Sequence, residues 1–296
     1  GWDVLREARH KRQIESGIVD PKWPLAARPA DVPAWDSLSP EDQDRFDNIM
    51  AVYAAMIDCI DQSVGRMVAG LRERGLLDNT LILFLSDNGG NAESGPRGIT
   101  EGEPLGGPQS RVFLGMGWAT LANTPFRRYK HFTHEGGIST PLIAHWPAAI
   151  PAARNGQLER QPGHLVDLMA TACDVSGALY PAEFNGHRIL PMEGISLVPA
   201  FAGKPLHRVQ PIFWEHEGNR AVRSGPWKLV MKYRGPWELY HIPNDRTEQQ
   251  NLIDKKPDLA RLLTRQWNDW AATSFVDPWQ GPARNDWGEE VKPQAD

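Results

Sequence analysis

The run Thr80-Leu-Ile-Leu-Phe-Leu85, followed by Ser86-Asp87-Asn88-Gly89-Gly90, constrains this chain more than any other stretch. An uncharged apolar run stands between a turn signal, Asp78-Asn79, and a pair of glycines. A run so short and so bounded reads as a strand buried on both faces, the kind found in parallel sheets of α/β proteins. Asp87 and Asn88 then fall where the strand ends, and open α/β sheets bind ligands at the carboxyl ends of their strands. A carboxylate beside an amide carbonyl offers two hard oxygen donors, the ligand type that suits Ca²⁺ or Mg²⁺. Glycine at the next two positions lets the backbone turn sharply and lets a ligand approach. Taken alone, the same residues read equally well as a turn, since Asp, Asn and Gly all favour turns.

The segments before this strand set up a helix-strand unit. Residues 2 to 15 read as a polar, basic helix ending near Gly17. Pro21, Pro24, Pro29 and Pro33 make residues 18 to 38 an extended, irregular connection. Ser39-Pro40-Glu41-Asp42 is a helix start, with Ser as N-cap, Pro in the first position and acids in the first turn. Apolar residues recur at helical spacing from Phe46 through Ile49, Met50, Tyr53, Ile57, Ile60, Val64, Met67 and Val68 to Leu71, and Gly75 closes the pattern. This long helix is expected to pack on the sheet as half of a βαβ unit.

Residues 89 to 123 are rich in Gly, Pro, Ser and Glu and show little periodicity, which predicts a long loop of the functional kind. A dense stretch follows, Asn123-Thr-Pro-Phe-Arg127-Arg128-Tyr129-Lys130-His131-Phe-Thr-His134-Glu135-Gly136-Gly137-Ile138, with several groups able to hold an anion. Leu142-Ile-Ala-His-Trp146 predicts a second buried strand, and residues 162 to 177 a helix ending at Gly177. From Pro211 onward the pattern changes to short alternating strands at 212–215, 220–223, 227–230 and 237–240, separated by Gly-containing turns. They predict a small antiparallel sheet, covered on one face by a helix from Pro257 to about Trp270, with an irregular tail after Asp277.

Composition removes several classes. Hydrophobic residues at 41% and charged residues at 23% are the profile of a globular chain, and a net charge of −5 argues against a general nucleic-acid binder. No apolar run approaches the ~18 residues that span a bilayer, so no membrane partner is expected. The two cysteines exclude a disulfide framework and a Cys-rich metal site, and Cys59 and Cys173 read as buried small hydrophobes. The 12 tryptophans read as core, with sugar stacking as a weaker alternative.

Three stretches together resemble the type I sulfatases of the alkaline phosphatase superfamily, the bacterial arylsulfatases in particular. They are Tyr53-Ala-Ala-Met-Ile-Asp58 through Asp61 and Val64-Gly-Arg66 to Ser86-Asp87-Asn88-Gly89; Asn123-Thr-Pro-Phe-Arg127 through Tyr129-Lys130 and Glu135-Gly-Gly-Ile138 to Pro141; and Arg223-Ser-Gly-Pro-Trp-Lys228-Leu-Val with Glu238-Leu-Tyr240 and Asp245. The resemblance implies that Asp87 and Asn88 are ligands of a divalent cation, usually Ca²⁺, with Mg²⁺ as the other choice. It implies that Lys130, five residues before Glu135, contacts sulfate oxygens, a role for which the alternative is a solvated surface lysine. His134 and Arg127 are weaker candidates for substrate contact, with His131 at best behind them, and Glu135 is expected to hold the loop. Fixed cations suit sulfate-ester cleavage, because charge builds on the sulfate oxygens and on the leaving oxygen.

The resemblance also implies a formylglycine nucleophile, made from Cys or Ser in a Cys/Ser-x-Pro-x-Arg motif, and this sequence holds no such motif. The family's N-terminal acidic pair and its His-x-Pro element are likewise not found. Gly1-Trp-Asp opens like the middle of a helix, so the expectation is the C-terminal portion of a sulfatase. The expected fold is α/β: a mostly parallel sheet sandwiched by helices over residues 1–205, then a small antiparallel sheet with a helix over 206–296. The expected parent activity is hydrolysis of a small-molecule sulfate ester to an alcohol or phenol and sulfate. The alternatives are a phosphoester or phosphonate monoester hydrolase of the same superfamily and a non-catalytic truncated chain.

Overall fold

The structure, a computed structural model, describes residues 1–281; the expected irregular tail lies mostly outside them. In chain order the elements are α1 (Trp2–Glu15), α2 (Pro40–Glu73), β1 (Ile82–Leu85), β2 (Ile99–Glu101), β3 (Arg111–Phe113), α3 (Gly115–Ala122), α4 (Glu135–Ile138), β4 (Leu142–His145), α5 (Val166–Ser176), β5 (Glu183–Phe184), β6 (His187–Arg188), α6 (Val198–Phe201), β7 (Ile212–His216), β8 (Asn219–Ser224), β9 (Trp227–Met231), β10 (Trp237–His241) and α7 (Pro257–Thr273). They form two compact units, one made of Gly1–Ser63, Ser86–Pro141 and Pro211 onward, the other of Val64–Leu85 and Leu142–Gln210.

In the first unit, α2 starts as its sequence requires. The Ser39 hydroxyl accepts the Asp42 N–H at 3.1 Å, and Pro40, Glu41 and Asp42 fill the first turn. Phe46 and Ile49 enter a core with Trp2, Met116, Trp118, Leu121, Tyr129 and Phe132. The indole of Trp2 meets Phe46 and Trp118 edge to face, with ring centres 5.0 and 5.4 Å apart. Helix α3 lies in the stretch that the sequence presents as loop. Seven of its residues, Gly115 to Leu121, are buried, so it has no polar face and no period to detect. Gly117 is required there, since a Cβ would stand 2.6 Å from the Trp2 ring.

The C-terminal sheet of this unit runs β10-β9-β8-β7, antiparallel throughout, with Lys228 opposite Tyr240. Its residues alternate between two faces, as period two demands. Val222, Leu229 and Leu239 pack under Leu263, Trp267 and Ala271 of α7, while Ala221, Val230, Tyr240 and Ile242 pack on the opposite face. Sequence and structure agree on this sheet and its covering helix. Cys59 differs: it sits exposed on α2, while Cys173 of the other unit is half-buried.

In the second unit, β1 pairs with β4 antiparallel, Ile82 opposite His145 and Leu85 opposite Leu142. The sequence pointed to parallel strands buried on both faces, and among the described residues every strand pair is antiparallel. Phe84 and Ile143 are 47% and 61% exposed. An apolar run identifies a strand; it fixes neither the direction of the neighbour nor what covers the faces. Helix α5 ends on Gly177 at φ 69°, a left-handed cap that glycine adopts without strain. The fully buried Asp167 accepts the backbone N–H of His164 at 2.8 Å and of Ile195 at 3.0 Å. It also pairs with Arg208. The chain is thus a mixed α/β protein that carries a small four-stranded antiparallel sheet and a helix near its C-terminus.

Candidate functional site

Two loops of the first unit carry the residues singled out by the sequence, and their backbones are tied together. The Gly89 N–H donates to Gly137 O at 3.0 Å, and the Lys130 N–H donates to Gly90 O at 3.1 Å. The Asn123 side chain closes the joint: its Oδ1 accepts the Gly90 N–H at 2.8 Å and its Nδ2 donates to Arg128 O at 3.0 Å. Thr140 Oγ1 donates to Ser86 O at 2.8 Å, and Ser86 Oγ donates to Asn88 O at 2.9 Å. Glycine makes this proximity feasible: a Cβ on Gly89 would stand 1.9 Å from Gly136 O, and one on Gly137 1.9 Å from Phe132 O.

Asp87 is exposed and Asn88 half-buried, directly before the Gly89-Gly90 end of this joint. Among the described residues neither side chain makes a hydrogen bond or ion pair, so both oxygens can serve a cation of the hard, oxygen-preferring type. Two donors fall short of the six to eight that Ca²⁺ takes. Lys130 Nζ pairs with Glu93 Oε2 at 2.8 Å, and both side chains are about one-third exposed. Such an exposed pair is worth ~0–1 kcal/mol, so an anion that offers more can displace Glu93.

Behind Lys130 the same loop rests on a buried ionic layer. Lys228, on β9 and fully buried, donates to Glu135 Oε1 at 2.9 Å and pairs with Glu248 Oε1 at 2.9 Å. Arg246 Nε reaches Glu135 Oε2 at 2.6 Å, its Nη2 bonds Ser139 Oγ, and the Glu135 N–H donates to Glu248 Oε2 at 3.0 Å. Arg127 pairs with Glu238 and donates to the Tyr240 hydroxyl at 2.9 Å, while that hydroxyl donates to Glu238 Oε2 at 2.7 Å. His134 is fully buried, its Nε2 3.4 Å from Glu238 Oε2.

These surroundings set the protonation states. Burial opposes charge on Glu135, yet Lys228 and Arg246 hold its carboxyl well below the usual carboxylate range. Burial likewise opposes charge on Glu238, and His134 with Arg127 overcomes it in the same direction. Burial pushes the His134 imidazole down to about 4, with Glu238 only partly compensating, so the ring is neutral at pH 7.

The structure therefore brings Asp87, Asn88 and the Lys130 loop together through the backbone, and Glu135 ties that loop to Lys228 and Arg246. Arg127 and His134, candidates for substrate contact from the sequence, face Glu238 instead, and His134 has no exposed surface. Sequence reasoning missed the partners Glu248 and Arg246. It did quote Lys228, Glu238 and Tyr240; a lysine inside an alternating apolar strand at Lys228 is the signal that asks for a buried acid.

This chain is a member of the sulfatase family, whose model matches residues 19–178. A relative described as an uncharacterized sulfatase, from Schizosaccharomyces pombe, is 31% identical over 300 residues, covering 93% of this chain and 53% of the relative. The arylsulfatase of Klebsiella aerogenes is 30% identical over 67% of this chain and 44% of its own length. The chain spans about half the length of the first relative and less of the second. Among solved structures, that of Ps i-CgsB superposes with a TM-score of 0.57 at 25% identity, over 91% of this chain and 54% of that one. A second structure of that protein holds k-i-k-neocarrahexaose.

Proposed function

We propose that the natural protein hydrolyses sulfate esters, releasing an alcohol or phenol and inorganic sulfate. The observation that carries this reading is the backbone joint: the Asp87-Asn88 oxygens and the Lys130 ammonium stand on two loops locked by the Gly89–Gly137 and Lys130–Gly90 bonds. In this proposal Asp87 and Asn88 supply two ligands of a divalent cation, Ca²⁺ in preference to Mg²⁺ because loop carbonyl and carboxylate oxygens fit its flexible coordination. Bound there, the cation would neutralise charge on the sulfate oxygens. Lys130 leaves Glu93 to donate to a non-bridging oxygen, an interaction that strengthens as charge builds toward the transition state. Arg127 and His134 contribute through the loop that they support, because both face Glu238.

Family membership implies a formylglycine nucleophile, and this sequence holds no Cys/Ser-x-Pro-x-Arg motif from which it would be made. Residues 1–205 are proposed as part of the catalytic domain and residues 206–296 as a subdomain that braces it. Substrates of the sulfated-sugar class are consistent with the oligosaccharide held by Ps i-CgsB.

The natural protein, assayed on a sulfate ester and a phosphate ester of one phenol, tests the reading. Turnover that favours the sulfate and falls on chelation of divalent ions is the expected result. Preference for the phosphate ester would move the protein to the phosphoester and phosphonate hydrolases. No turnover of either, with added Ca²⁺, would favour the non-catalytic reading.

A further inference from the structure

We propose that His131, His216 and Glu217 form a transition-metal site of the Zn²⁺ type, sharing no residue with the Asp87-Asn88 pair. One ligand atom from each of the three lies within 4.8 Å of the other two. His131 Nδ1 and Glu217 Oε2 stand 3.6 Å apart. That is too long for a hydrogen bond between nitrogen and oxygen. It is close to the ~3.4 Å edge of a tetrahedron whose metal–ligand bonds are about 2.0–2.1 Å.

Two imidazoles and one carboxylate are the donor set of open, three-ligand zinc sites; the oxygen-only preference of Ca²⁺ and Mg²⁺ disfavours both ions here. His131 and Glu217 are aimed by unusual backbone, with φ of 90° and 49°, in the left-handed region that costs a non-glycine residue energy. Strain of this kind persists where the surroundings over-determine a side chain's position. Those surroundings are visible: the His131 ring meets Phe132 and His216 edge to face, each at 5.1 Å. The buried Asn219 donates from Nδ2 to His216 O at 3.0 Å and lies 3.4 Å from His131 O and 3.3 Å from His131 Nε2. A metal on Nδ1 puts the ring proton on Nε2, so binding requires the ring or the Asn219 amide to shift and relieve the two facing donors. His216 is exposed at the end of β7, so it can complete the geometry by a small rotation.

The site joins two segments far apart in sequence. His131 follows Lys130 directly, while His216 ends β7 and Glu217 opens the turn into β8. A bound ion would clamp the Lys130 loop to that turn.

Titration calorimetry of Zn²⁺ into the chelator-treated protein tests this. The expected result is one ion per chain, weakened at least tenfold in His216→Ala and in Glu217→Gln and unchanged in Asp87→Asn. His216 is exposed and Glu217→Gln keeps shape, so both variants keep the fold. His187→Ala, which removes an exposed histidine elsewhere, controls for adventitious binding. No binding, or equal affinity in His216→Ala and His187→Ala, overturns the proposal.

Discussion

In the C-terminal sheet Leu229, Val230 and Leu239 have no exposed surface, whereas in the β1–β4 pair Phe84 and Ile143 expose about half of theirs. Both sheets are antiparallel, but β1 and β4 come from short apolar runs and β7 to β10 from short alternating strands. They differ in what the described residues supply to cover them. Strands β7 to β10 alternate large residues on both faces, and α7 brings Leu263 and Trp267 onto one face. The comparison teaches that an apolar strand gains little until its faces are covered, since burial of apolar area is what stabilises it. It also shows where polar groups become decisive: Lys228, inside the covered sheet, is tied to Glu135 of the Lys130 loop and to Glu248.

The largest effect should follow from breaking that tie. Lys228→Met leaves Glu135 and Glu248 as neighbouring buried acids and should cost about 3–5 kcal/mol in urea unfolding. Loss of the apolar cover comes next: Trp267→Ala removes a ring that packs on the sheet and donates to Trp214 O at 3.0 Å, for about 3–5 kcal/mol. Equal stability of either variant with the parent would break the comparison.

Acid should act on the covered region with a defined sign. The unfolded chain takes up a proton on His134 below pH ~6.5, while the folded chain does so only near 4, so stability falls as pH drops through that window, by about 3 kcal/mol at its end. The carboxyls of Glu135 and Glu238 titrate low in the fold, so their contribution is present above ~4.5 and is lost as pH falls further. His134→Gln should flatten the first part of the curve, and an unchanged slope between pH 6.5 and 4 would contradict the assignment. The smallest effect belongs to the uncovered strand: Phe84→Thr should change the stability of this 296-residue chain by less than about 0.5 kcal/mol.

Much of this was legible in the sequence because local chemistry decided it. Ser39-Pro40 starts α2, Gly177 ends α5, and the alternation after Pro211 delivers four strands in their true order. The Asp87-Asn88 and Lys130 motifs were also legible as neighbours through the family resemblance, and the backbone bonds supply its physical content. What stayed hidden was set at long range. Helix α3 lacks a polar face, so no period marks it. Glu248 and Arg246 meet Glu135 across more than 100 positions, and no local rule pairs them. The direction of the β1–β4 pair and the exposure of Cys59 depend on tertiary surroundings that spacing does not encode.

Lys130 is the most direct place to test the account as a whole. We would measure kcat/KM of the natural protein and of its Lys130→Ala variant on an aryl sulfate, with thermal unfolding of both. Loss of about 10²–10³ in kcat/KM with an unchanged Tm is the predicted result, because among the described residues the ammonium pairs with Glu93 alone, at an exposed pair, and acts on the developing charge. Equal kcat/KM in the two proteins would mean that Lys130 is a solvated surface lysine and that the site lies elsewhere.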